Sequence, residues 1–182
     1  HNDFFTGGTG ADMIDGGLGT DRIIESRSTS VNFTLSDNTT TVSDTDDATL
    51  VIGAEGTDTL DSVEEAHLTG GSGVQTLDAS GFTLGPVVLS TGGGQDTLKG
   101  TAHADVFRID VSNSTDFADS STDRVAVYVN GGIGNRVEFT GTGSLTQSDL
   151  QWVKFVDAGG TEVTPSNSTE LVYDSGLSNF TS

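Results

Sequence analysis

Large apolar residues at Phe5, Ile14 and Ile23 recur every nine residues, with glycine, threonine and aspartate filling the intervals. One apolar position per nine residues does not fit a helix, whose buried face returns every three to four positions. It predicts very short strands joined by glycine turns. Further on, Leu60, Leu68, Leu77, Val88, Leu98 and Phe107 fall eight to eleven residues apart and predict inward-facing strands of the same kind. Between the two stretches, residues 25–52 show alternation at Val31, Phe33 and Leu35, a polar Thr/Ser/Asp run, and then Thr49-Leu50-Val51-Ile52. That pattern predicts a strand, an exposed loop or hairpin, and a second strand. In the last third, Val125, Val127 and Val129 alternate, and Trp152, Val153, Phe155 and Val156 lead through Asp157-Ala158-Gly159-Gly160 into Thr161-Glu162-Val163. The order strand, glycine turn, strand predicts a β-hairpin there. Helical signals are thin throughout, and Ser148 to Val153 supports at most a turn.

The nine-residue period carries a fixed pattern. Gly7-Gly8-Thr9-Gly10-Ala11-Asp12-Met13-Ile14-Asp15 is followed directly by Gly16-Gly17-Leu18-Gly19-Thr20-Asp21-Arg22-Ile23-Ile24, and Asn2-Asp3-Phe4-Phe5-Thr6 fits the last five positions of the same unit. Looser copies begin at Gly53 (acid at Asp58), Gly70 (Gln75 in place of the acid), Thr91 (Asp96), Gly100 (Asp105) and Gly131 (Arg136 in place of the acid). Tandem G-G-x-G-x-D-x-U-x units, where U is a large apolar residue, resemble the RTX, or hemolysin-type calcium-binding, family. The resemblance is tight over residues 2–24 and loose elsewhere.

The resemblance implies an all-β fold: a right-handed parallel β-roll or β-solenoid with calcium-binding turns, plus a C-terminal β-hairpin cap. Its parts would be tandem repeats at 1–24, a strand-loop insertion at 25–52, a degenerate solenoid at 53–109 and a β-rich capping region at 110–182. Each unit divides into a six-residue turn and a three-residue strand. Glycines permit left-handed backbone and leave carbonyl oxygens free to converge on an ion. Calcium takes about six to eight oxygen ligands, which carbonyls and one carboxylate per turn can supply. The expected metal ligands are Asp3, Gly7, Thr9, Gly10, Asp12, Gly17, Gly19, Asp21, Asp58, Asp96 and Asp105. Two units per coil put stacked partners eighteen residues apart, which pairs Asp3 with Asp21 and leaves Asp12 opposite Ser30. Gln75 would stack on Asp96 if a short insertion near Gly85-Pro86 loops out.

Composition sharpens the picture. Only 32% of residues are hydrophobic, so a thick layered core is not expected, and 27 acidic against 7 basic residues give a net charge of −20. Such repulsion disfavours compaction without cations, and it makes nucleic acid and anionic membranes poor partners. There is no cysteine, so no disulfide or thiolate site is available. No apolar run is long enough for a membrane span, and His1-Asn2-Asp3-Phe4-Phe5 reads as neither initiator Met nor signal peptide. Of the imidazoles, His1 and His103 lie in no catalytic motif, and His67 beside Glu64 and Glu65 reads as an outward neighbour of Leu68. Asn-x-Ser/Thr triplets at Asn32, Asn38, Asn113, Asn167 and Asn179 suggest exposed positions. The expected function is therefore not enzymatic: a calcium-binding structural module of a larger secreted or cell-surface protein, folding on calcium after export. Its partners would be calcium ions and neighbouring domains. The alternatives are a self-assembling subunit of an extracellular fibre or surface layer, binding other copies, and a non-catalytic accessory module of a secreted hydrolase or epimerase.

Overall fold

The computed structural model describes residues 1–37, 47–110, 125–128, 135–140, 144–146, 153–156, 162–163, 169–173 and 179–181. The chain is all-β. One sheet has seven strands in the order β1 (Phe4–Phe5), β3 (Arg22–Ser26), β7 (Glu65–Thr69), β9 (Val87–Ser90), β11 (Val106–Asp110), β13 (Asn135–Thr140) and β17 (Thr169–Tyr173). Every pair in it is parallel. The other has nine strands in the order β16 (Glu162–Val163), β15 (Val153–Val156), β12 (Val125–Tyr128), β10 (Thr97–Lys99), β8 (Thr76–Gly81), β4 (Phe33–Asp37), β5 (Asp47–Ile52), β6 (Gly56–Asp61) and β2 (Met13–Asp15). Two further strands, β14 (Ser144–Thr146) and β18 (Asn179–Thr181), pair only with each other.

The parallel β-roll or β-solenoid expected from the repeat is not the architecture found. The two large sheets are open and sandwich-like, and the nine-stranded one is mixed. β5 runs antiparallel to both β4 and β6, and β16 runs antiparallel to β15. The cause lies in the 25–52 segment. Phe33 and Leu35 on β4 and Ala48, Leu50 and Ile52 on β5 are all buried, so both segments bury alternate positions. Their registers, Phe33↔Ile52 through Asp37↔Ala48, then Ala48↔Leu60 onward to β6, join strands close in sequence. Closing short loops costs less chain entropy than bringing distant repeats together. The antiparallel block therefore stands between β2–β6 and β8–β10, where a regular roll would continue in parallel.

The core lies between the inner faces of the two sheets. On β11, Phe107 and Ile109 are buried while Val106, Arg108 and Asp110 are half-buried. The same alternation holds on β5 and β7, so even the parallel strands bury only one face completely. Ile23, Leu60, Leu68, Leu77, Leu98 and Phe107 are buried as the spacing predicts. Val88 is not: Val87 and Leu89 take the inner positions of β9. Phe5 and Ile14 are partly buried against the core, and Phe4 and Met13 beside them are exposed. Val129, Trp152, the turn after Val156 and the triplets at Asn38, Asn113 and Asn167 lie outside the described residues.

The buried aromatic on β11 separates core from surface by experiment. Replacing Phe107, fully buried, with alanine should destabilise the chain by about 3–5 kcal/mol in denaturant unfolding. Replacing Met13, which is 90% exposed, should cost less than about 0.5 kcal/mol.

Candidate metal centre

At the points where turns enter strands, a backbone N–H faces the neighbouring strand and is met by a side-chain oxygen. Along the seven-stranded sheet, Asp3 N–H donates to Asp21 Oδ1 (2.6 Å) and Asp21 N–H to Glu64 Oε2 (2.8 Å). Farther along, Val87 N–H donates to Asp105 Oδ1 (3.0 Å), and Asp105 N–H to Asn135 Oδ1 (2.8 Å). Residue 86 is proline and has no N–H, so Val87 makes the bond instead. Along the nine-stranded sheet, Asp12 N–H donates to Asp58 Oδ1 (3.0 Å), Thr76 N–H to Asn32 Oδ1 (2.8 Å) and Gln75 N–H to Asp96 Oδ1 (3.1 Å). The result is a ladder of side chains clipped to the preceding or following turn.

This ladder settles several registers. Asp3 and Asp21 meet, eighteen residues apart. Gln75 stacks on Asp96, with Leu77 opposite Leu98. The partner of Asp12 is not at position 30 but Asp58, because the 25–52 segment displaces the next turn and β2 pairs with β6. Arg136 does not take the place of the acid in the Gly131 unit: Asn135 does, since Arg136 pairs with Val106 inside the strand. Glu64, Asn32 and Asn135 were invisible as ladder residues in the sequence. The signal they share, an acid or amide immediately before or at the start of a strand, emerges only once strand starts are known.

The clip carboxylates of Asp21, Asp58 and Asp96 use only one oxygen, and Asp12, which joins the ladder through its N–H, has a bare one as well. Oδ2 of Asp12, Asp21, Asp58 and Asp96 is buried and accepts no hydrogen bond. Asp21, Asp58 and Asp96 are wholly buried as residues. An oxygen in that position has lost its water without gaining a donor, which is costly for a charged group. The free oxygens of Asp12 and Asp58 face the same point: a Cβ at Gly7 would lie 2.7 Å from Asp58 Oδ2 and 3.4 Å from Asp12 Oδ2. In the next turn, a Cβ at Gly16 would lie 2.9 Å from Asp21 Oδ2. The first glycine of the unit is thus small because the acid lies over it. Gly8 and Gly10, and Gly17 and Gly19, have positive φ (82°, 120°, 77° and 147°), a backbone that favours glycine.

Thr9 is exposed, and Asp3 at the sheet edge has a side chain 52% exposed. Asp105, by contrast, is fully satisfied: besides Val87 N–H, it accepts Thr101 N–H (2.7 Å) and Thr101 Oγ1 (2.8 Å). A residue absent from the expected set, Glu25, is 3% exposed and accepts Gly7 N–H (2.5 Å) and Gly8 N–H (3.0 Å) through Oε1. Its Oε2 pairs with Arg27 Nη1 (2.7 Å), and Arg27 also bonds Glu55 Oε2 (2.6 Å) and the carbonyl of Gly8. Arg27 therefore places one cation among Asp12, Asp58, Glu25 and Glu55. Among the described residues no three His, Cys, Asp or Glu side chains converge at metal-binding distance. A bound ion would draw its remaining ligands from turn carbonyls, as calcium sites commonly do.

The electrostatics reflect this crowding. Burial raises the Asp58 carboxyl above its usual range; the Asp12 N–H and Arg27 oppose this, while the Asp12 and Glu25 charges add to it. Burial pushes Asp96 up to about 7 against the lowering effect of Gln75 and Gly92. Burial also raises Asp105, opposed by its Val87 and Thr101 donors. His67 is held neutral, lowered to about 4 by burial and by Arg22 and Arg108; it is half-buried between buried Ala66 and Leu68. His103 donates its N–H to Thr101 Oγ1 (2.9 Å) and its ring Nε2 lies 2.8 Å from the Thr83 carbonyl, a turn role. No helix among the described residues is long and apolar enough to cross a membrane.

Asp96 gives the metal-free protein a pH dependence of definite sign. Its carboxyl titrates near 7 when folded against 3.8 as a reference. Between those values the folded chain keeps a proton that the unfolded chain has lost, so stability falls as pH rises through the window and levels off above it. His67, lowered to about 4, acts in the opposite sense up to its reference value of 6.5, so the test is a difference: in chelator, the urea midpoint of wild type minus that of Asp96→Asn should fall from about pH 4.5 to about 7 and level off above it. An unchanged slope in the variant would show that Asp96 ionises normally.

Compared with known proteins, the chain matches no protein-family model, no curated protein and no solved structure.

Proposed function

We propose that this chain is a calcium-binding structural module of a larger secreted or cell-surface protein, without catalytic activity of its own. The observation that carries the reading is the set of buried, unpartnered carboxylate oxygens on Asp12, Asp21, Asp58 and Asp96, three of them held over or beside repeat glycines. A hard divalent cation suits them: it bonds anionic oxygen and backbone carbonyl together at about 2.3–2.6 Å. Asp12 and Asp58 would hold one ion beside the turn of residues 7–12, and Asp21 another in the turn of residues 16–21. Metal-coupled folding also gives the −20 charge a role, because the chain resists compaction until cations arrive. Export before folding follows if calcium is scarce where the chain is made.

A second reading, self-assembly, is favoured by one feature. β1 and β2 are the terminal strands of their sheets, and Phe4 and Met13 on them are 66% and 90% exposed. Unpaired edges carrying apolar side chains invite strand addition. Light scattering should then show calcium-dependent growth in mass that deletion of residues 1–6 abolishes; a monomer at high concentration in saturating calcium would reject this reading.

The main reading has a direct test. Calcium at about one hundred times its Kd should stabilise the fold by about 2.7 kcal/mol per site, visible as a higher melting temperature by circular dichroism. Asp21→Asn and Asp58→Asn keep an acceptor for the ladder N–H but lose the charge, so each should remove a site from a calorimetric titration, whereas Gln75→Ala should remove none. A melting temperature that does not change after thorough chelation would sink the proposal.

A further inference from the structure

We propose that two turns, residues 70–75 and 100–105, are closed by protein groups in the place where other turns expose a bare carboxylate oxygen, and that Gln75 and Thr101 are what make them independent of metal. This rests on the calcium reading for the remaining turns but is carried by different residues. In the turn of residues 16–21 the sixth position is Asp21, whose Oδ2 is buried and accepts nothing. In the turn of residues 70–75 the same position is Gln75, 3% exposed, and its carboxamide makes a reciprocal pair with Gly71. Gly71 N–H donates to Gln75 Oε1 (3.0 Å), and Gln75 Nε2 donates to the Gly71 carbonyl (2.8 Å). The carbonyl that could have faced an ion is therefore taken by an N–H, and the sixth-position group carries no charge to balance one. A Cβ at Gly70 would lie 2.5 Å from Gln75 Nε2, so the amide occupies the space over the first glycine that Asp21 Oδ2 occupies over Gly16.

The second turn reaches the same end by another route. Asp105 keeps the carboxylate, but threonine replaces glycine at the second position of the unit. Thr101 supplies two donors, its N–H to Oδ2 and its hydroxyl to Oδ1. With Val87 N–H also on Oδ1, both oxygens are used, and Thr101 and Asp105 are each wholly buried. Three hydrogen bonds to a buried carboxylate do for it what a cation would do elsewhere. Asp105, which the repeat pattern nominates as a calcium ligand, is thereby assigned to an internal clasp.

Two measurements on the full chain decide the matter. In chelator, under conditions where the chain is folded or after mild stabilisation by an osmolyte, the Gly71 and Thr101 amides should be protected from hydrogen exchange, with no further gain on adding calcium. Calorimetric titration of Gln75→Asp, which restores the sixth-position acid of the other turns, should show one more calcium ion bound than wild type. Thr101→Gly, which strips two donors from Asp105, should likewise gain one and serves if Gln75→Asp fails to fold. Protection that appears at Gly71 and Thr101 only with calcium, or folded variants that gain no ion while wild type binds several, would overturn the proposal. If wild type binds no calcium at all, the functional reading fails, while amide protection in chelator still decides whether these turns close without metal.

Discussion

The structure depends on what satisfies the backbone N–H groups where turns enter strands. In a parallel sheet built from strands of two to six residues, a large share of the backbone sits at turn-to-strand junctions, and a buried amide left unpaired costs about 1–3 kcal/mol. The chain meets this need with side chains: Asp21, Glu64, Asp105 and Asn135 on one sheet, Asp58, Asn32 and Asp96 on the other. The sixth position of the repeat is acidic for this reason before any question of metal arises. A carboxylate accepts an N–H well, and it accepts more strongly than a neutral amide.

The cost of that choice is charge. The clips of Asp21, Asp58 and Asp96 use one oxygen and bury the other, and successive turns bring charges near one another, as at Asp12 and Asp58 beside Glu25. Four remedies coexist along the chain. Arg27 sets a guanidinium between Glu25 and Glu55 and against the Gly8 carbonyl. Asp96 holds its proton to about pH 7. Gln75 removes the charge, and Thr101 surrounds the Asp105 charge with donors. The remaining oxygens, on Asp12, Asp21 and Asp58, accept no hydrogen bond, and only the Arg27 charge near Asp58 relieves any of them; for them the proposed calcium is a fifth. Each answers the same loss, that of the stabilisation water gave a buried anion, either by removing the charge or by giving it new partners.

Legibility in the sequence followed sequence distance. Within residues 2–24 the tandem spacing is uninterrupted; there the period made the buried Ile23 readable, and the two units per coil that the family resemblance implies gave the Asp3–Asp21 contact. The apolar positions of later units were readable too, apart from β9, where Val87 and Leu89 rather than Val88 turn inward. A one-residue shift reverses which face a strand residue occupies, and nothing in Pro86-Val87-Val88-Leu89 fixes the phase. The same one-residue ambiguity hid Asn135 behind Arg136. What the period could not convey was the direction of the inserted strands. Phe33 and Leu35, and Leu50 and Ile52, alternate identically whether they pair parallel or antiparallel, and the repeat around them argued for the wrong choice.

The insertion also shows how little the ladder demands of its partners. A regular roll would have set Asp12 against Ser30; with β4 and β5 folded in antiparallel, Ser30 instead lies against Gly73 and Asp12 rests on Asp58, forty-six residues away. The bond is the same kind that joins Asp3 to Asp21 across eighteen residues. Glu64, one methylene longer, serves Asp21 equally well, and Asn32 serves Thr76 with no charge. A clip needs only an acceptor at the mouth of a strand within reach of the next N–H, so the length of chain between clips is free to vary. Ion binding is more exacting, since it needs a charged acceptor, a bare second oxygen and a turn without competing donors together. The clips therefore persist as far as Asn135, whereas buried second oxygens without a donor are found on Asp12, Asp21, Asp58 and Asp96 among the described aspartates. On the proposed reading a single residue can close a turn to an ion, as Thr101 does with its two donors, without loosening the sheets that the clip holds.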